Sequence, residues 1–62
     1  MIDKAEAGMK ANFVFASGKT VFGVIEYVPV ATGDCWVVTE VSEGKKQGVV
    51  YIQQFDMMFL RS

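Results

Sequence analysis

The sequence predicts a mostly β chain: a small, strongly bent five-stranded barrel behind a short N-terminal helix. Three observations carry that expectation. Five apolar runs rich in β-branched and aromatic residues follow Ala11, each bounded by glycine, proline or polar residues. The longest of them, 20–28, has Gly23 at its middle, where a missing side chain lets a strand bend sharply or another backbone approach. All five fit into about 50 residues, which is the scale of a small, highly curved barrel.

The helix is read over 1–11. Ile2, Ala5 and Met9 recur at roughly helical spacing, Glu6 and Lys10 can pair across one turn, and Asp3 suits a first turn. So short a helix needs a surface to lie on. Strand one, "NFVFA" (12–16), alternates with Phe13 and Phe15 on one side. "SGK" turns the chain into strand two, with Val21, Ile25 and Tyr27 on one face and Phe22, Val24 and Val28 on the other. "PVATGD" (29–34) is a loop, "CWVVTEV" (35–41) is strand three, and "SEGKKQG" (42–48) is a polar connection that holds Lys45 and Lys46 in a turn. "VVYIQ" (49–53) and "MMFLR" (57–61) are strands four and five. Met57 and Met58 are adjacent, so one faces the barrel and the other faces away.

At 62 residues there is room for one domain, 1–62. A chain of this size buries only roughly 60% of the surface its unfolded form exposes, so stability is marginal without a staple. Cys35 is the only cysteine and histidine is absent, which excludes an internal disulfide and leaves no expected zinc site. Assembly with other copies is what remains. The 52% apolar content supports it, because a barrel this small buries only its inner face. No cofactor and no metal is expected. The N-terminus lacks the apolar run of a signal peptide, and no stretch approaches the roughly 20 residues of a membrane span. With a lone thiol, cytoplasmic location is the expectation. Without histidine there is no Ser-His or Cys-His pair, so the chain is expected to be non-catalytic.

Two stretches carry a family likeness. "GKTVFGVIE" presents Gly18, Val21, Gly23 and Ile25 in the pattern of the first Sm-like motif, and Asp34, Trp36, Val37 and Val38 resemble its end after extra loop residues. "IQQFDMMFL" can be laid over the second motif, Ile-Arg-Gly-x-x-Ile-x-x-Ile, with Ile52, Met57 and Leu60 at the apolar positions. Gln53 then stands where Arg is usual and Gln54 where Gly is usual, and the Asn that normally follows in the first motif is missing. The chain thus resembles the Sm-like family, including its bacterial host-factor RNA chaperone branch, over nearly its whole length.

That resemblance implies an SH3-like, Sm-like barrel assembled as a homo-oligomeric ring that binds single-stranded RNA, or DNA, without catalysis. In such rings the fourth strand of one subunit pairs with the fifth strand of the next, and the loop between them faces the central hole. The implied nucleic-acid-binding residues are Gln53 and Gln54, whose amides both donate and accept. Trp36 or Tyr27 would supply stacking planes, and Lys45 and Lys46, together with Lys19 or Arg61, phosphate contacts at the rim. The implied oligomer interface is Tyr51, Ile52, Met58 and Phe59.

Each residue also has a plainer reading. The glutamines suit a turn, Trp36 a core or subunit contact, the lysines a solvated tip, and Cys35 a small buried hydrophobe. A net charge of −1 argues against bulk attraction to phosphates. The alternative function is an SH3-like barrel serving as a protein-interaction or assembly subunit. "VVYIQQF" also shares composition, but not order, with the pore stretch of the plasmid-type dihydrofolate reductase, which would imply NADPH binding.

Overall fold

A computed structural model describes residues 4–61, and every regular element within them is a strand. The strands are β1 (Lys10–Val14), β2 (Thr20–Tyr27), β3 (Trp36–Ser42), β4 (Lys45–Ile52) and β5 (Met57–Arg61). They form one antiparallel sheet in the order β4-β3-β2-β1-β5. Alternation decides what each strand buries. Ala11 and Phe13 of β1 and Val21 and Ile25 of β2 point inward, joined by Val38 of β3 and Ile52 of β4. No helix among the described residues is long and apolar enough to cross a membrane.

The sheet is curled rather than flat. In a flat sheet β4 and β1 lie three strand spacings apart, roughly 14 Å. Ile52 and Phe13, from those two strands, nonetheless belong to one packed core. The smallest extent of the Cα trace, 21 Å, is also too thick for a single flat layer. Gly23 sits where β3 comes closest. A Cβ there would collide with the Thr39 carbonyl oxygen and stand 2.8 Å from its carbon and 2.9 Å from Glu40 Cα. The bend glycine of the sequence is therefore a point of close backbone approach.

The helix expected over 1–11 is not found among the described residues. Residues 1–3 lie outside them; Lys4–Met9 is irregular with a turn at Ala7 and Gly8, and Lys10 and Ala11 already belong to β1. The reason is a competing set of partners. Gly8 N–H donates to the Ile25 carbonyl (2.7 Å) and Ile25 N–H donates to the Met9 carbonyl (2.8 Å), which extends the β1–β2 ladder back past Lys10. A helix of this length, burdened by its nucleation cost, cannot match bonds that the sheet offers directly.

Two further expectations are corrected. Lys45 and Lys46 are not in a turn: the β3–β4 connection is just Glu43 and Gly44, both at positive φ (54° and 77°), as a two-residue hairpin turn requires. Tyr27 does not share a face with Val21 and Ile25. An irregularity in the β2–β3 register between Ile25 and Tyr27 adds a residue, and the phenol turns outward, 42% exposed. Cys35 is free and half-buried.

Candidate nucleic-acid interface

The connection between β4 and β5 turns at the two glutamines because of the residue that follows them. Phe55 drops inward and meets Phe13 and Trp36 edge to face, with ring centroids 5.1 and 5.9 Å away, while Phe13 and Trp36 lie 5.5 Å apart. Such T-shaped pairs add about 0.5–1.5 kcal/mol each beyond the area they bury. The triad ties the connection to β1 and to the start of β3, and it leaves Gln53 and Gln54 exposed. Asp56 N–H donates to the Val14 carbonyl (2.8 Å), which fixes the far end of the connection against β1.

Antiparallel pairing of β5 with β1 sets this connection beside the β1–β2 turn. That turn is closed by Phe15 N–H donating to the Lys19 carbonyl (2.9 Å) and by Gly18 N–H donating to the Phe15 carbonyl (2.8 Å). Gly18 has φ +93°, a left-handed conformation that glycine adopts freely. Two clefts open between the segments. One, of about 590 Å³, is lined by Phe15, Ala16 and the Gln53–Asp56 connection. The other, of about 300 Å³, includes Ser17, Lys19, Val50 and Tyr51, and shares Phe15 and Gln53 with the first.

Gln53 and Gln54 thus stand together on a cleft, and the other expected binding residues stand elsewhere. Trp36 is engaged in the aromatic triad. Tyr27 lies on the outer face, where its hydroxyl donates to Asp34 Oδ2 at 2.9 Å. Lys45 and Lys46 are exposed at the start of β4, and Gln53 follows its end. Seven residue steps separate the ends of that strand, roughly 23 Å. A single chain therefore does not gather the lysines and the glutamines into one site. Lys19, expected as a rim cation beside Lys45 and Lys46, is the one of them that reaches a cleft; Phe15 and Ser17 join it there without having been expected, because strand pairing and the curl of the sheet bring the β1–β2 turn to the glutamines.

The residues expected at an oligomer interface divide by face. Tyr51 (70% exposed) and Phe59 (50%) point outward, joined by Val49 and Met57, whereas Ile52 is in the core and Met58 packs against it. Both edges of the sheet, β4 and β5, are unpaired among the described residues. Backbone direction alternates along each strand, and the Phe15–Lys19 and Ile25–Met9 bonds set its phase through the observed registers. It follows that Val49 and Tyr51 turn their N–H and C=O groups to the free edge of β4, and Met58 and Leu60 turn theirs to the free edge of β5. Ile52 and Met58 therefore differ in what they can offer a neighbour, although both side chains point inward.

Comparison with known proteins finds no matching family model, no matching curated protein and no matching solved structure.

The Tyr27–Asp34 pair is the most distinct electrostatic feature of the outer face. Asp34 Oδ2 also accepts from Ala31 N–H (3.3 Å), which organises the β2–β3 loop. The Tyr27 hydrogen bond holds the Asp34 carboxyl below its usual range, and the same bond raises the Tyr27 phenol above its own. A lowered carboxyl contributes stability above its unfolded value and loses it on acidification through the folded value. A raised phenol contributes below its unfolded value and loses it as pH climbs through the folded one. The loop is therefore tightest between the two. In a Tyr51→Phe protein, the one remaining tyrosine should ionise above the ordinary value of about 10. Adding Asp34→Asn should bring it back down; an absorbance titration that shows no difference would contradict the pair.

Proposed function

We propose that the chain is the protomer of a non-catalytic, Sm-like, homo-oligomeric ring that binds single-stranded RNA or DNA. The observation that carries the reading is the pair of open edges, each with exposed apolar side chains: Val49 and Tyr51 on β4, Met57 and Phe59 on β5. An uncovered edge of that kind is a pairing template, and natural sheets cover or blunt such edges. β4 of one copy against β5 of the next would cover both at once, and a rotation between copies closes the set into a ring. The strand order, the close approach at Gly23 and the short β4–β5 connection agree with a small barrel of the Sm type. The amides of Gln53 and Gln54, held out by Phe55, are suited to base edges.

The test is fluorescence anisotropy with uridine-rich and adenine-rich oligonucleotides at low salt. Binding is expected, and Gln53→Ala with Gln54→Ala should weaken it about tenfold, the worth of one or two hydrogen bonds. The oligomer should stay intact. Dissociation of the oligomer in that variant would instead give the glutamines a structural role. Val30 (86% exposed) and Tyr51 favour the second reading, a protein-binding SH3-like barrel. That reading takes over if no oligonucleotide binds.

A further inference from the structure

Each of the six cations in the chain has a definite place relative to the paired clefts. Lys45 and Lys46 are at the far end of β4. Lys10 and Arg61 are cross-strand partners at the far end of β1 and β5, four residues from the Val14–Met57 pair that borders the clefts. Arg61 lies over the Phe22 ring on the outer face, 5.5 Å from its centroid. Lys4, in the irregular segment before β1, lines neither cleft. Lys19, in the smaller cleft, is the one cation among the residues lining the two, and Asp56, in the larger, is the one acid. The local charge is close to balanced.

The remaining lining is chemically specific. Phe15 is shared by both clefts and Tyr51 borders one of them, so planar apolar surface is available. Gln53, also shared, and Gln54 supply amides that donate and accept. The Ser17 hydroxyl accepts from Lys19 N–H (3.3 Å), which steadies the turn carrying the cation. Aromatic faces with amides suit an unpaired base, and one ammonium suits one phosphate.

We propose that the clefts between the β1–β2 turn and the β4–β5 connection form a nucleobase site, which reads the edge of an unpaired base and engages a single phosphate through Lys19. The proposal rests on the nucleic-acid reading above and adds to it the Lys19 turn as one wall of the site. It also says what drives binding: base contacts, with a small electrostatic share.

Salt dependence measures that share. For single strands, the slope of log K against log salt is about −0.7 per phosphate neutralised. The expected slope is therefore about −0.7 for each protomer engaged, where a protomer using all its cations would give about −4. Lys19→Gln should flatten the slope by about 0.7 per engaged protomer and leave base preference unchanged. Gln53→Ala should abolish preference among uridine, adenine, cytidine and guanine oligomers and leave the slope unchanged. Circular dichroism on both variants confirms that the sheet persists. A steep slope untouched by Lys19→Gln would overturn the proposal while leaving nucleic-acid binding in place. Absence of binding to all four oligomers would overturn both readings together.

Discussion

Gly23→Ala unfolds the chain. The added methyl has no route of escape, because the atoms it meets are backbone: the Thr39 carbonyl and Glu40 Cα of the adjacent strand. Relief requires β2 and β3 to move apart at the point where the sheet folds over its core. Overpacking of a well-filled interior costs about 1–3 kcal/mol, and more when backbone must yield. A domain of this size holds only about 3–9 kcal/mol in all. Thermal unfolding followed by circular dichroism should show a fall in Tm of more than about 10 °C, or no cooperative transition. The control is Gly33→Ala. That glycine has open space around it, so only the strain of its left-handed φ (+93°) is felt, about 1 kcal/mol. Equal losses at the two positions would remove Gly23 as the hinge of the curl.

A proline scan along β4 separates assembly from folding. Val49 directs its backbone N–H at the free edge and Val50 directs its own at β3, whose Val38 is its cross-strand partner. Proline at 49 removes a donor that no bond within the protomer uses, as edge positions tolerate. Proline at 50 removes a donor from the β3–β4 ladder beside the buried Val38, a loss that sheets accept almost only at outward-facing edge positions and bulges. Val49→Pro should therefore leave the β spectrum intact and reduce the oligomer to single copies. Val50→Pro should unfold the chain. If Val49→Pro assembles like the parent, β4 is not the edge that pairs.

Most of the framework is legible in the residues. β2 and β5 fall close to their expected limits because alternation of Val21, Gly23 and Ile25, and of Met58 and Leu60, has the period of a strand with one buried face. Gly23 is readable because a glycine in a long apolar strand has few other uses. The misses have local physical causes. Ala5 and Met9 look helical in isolation, yet the backbone of Ile25 is a better partner for Gly8 and Met9. The hairpin of Glu43 and Gly44 was hidden by the lysines after it, which read as loop although charged residues are common on strand edges. Tyr27 changes face through one extra residue, which periodicity cannot foresee. Gln53 and Gln54 read as the place where the chain turns, and the aromatic beside them, Phe55, is the signal of how the turn is anchored. The Lys19 wall is 34 residues from Gln53 along the chain, and only sheet order brings the two together.

A single copy with both sheet edges open should not persist in solution, and light scattering coupled to size exclusion decides whether it does. With a protomer of 6.9 kDa, the expected mass is a stable multiple of that value, unchanged on dilution through the micromolar range and lowered to one copy by Val49→Pro. A parent protein that elutes as a well-folded 6.9 kDa species at every concentration would contradict edge pairing, and the proposed ring would fall with it.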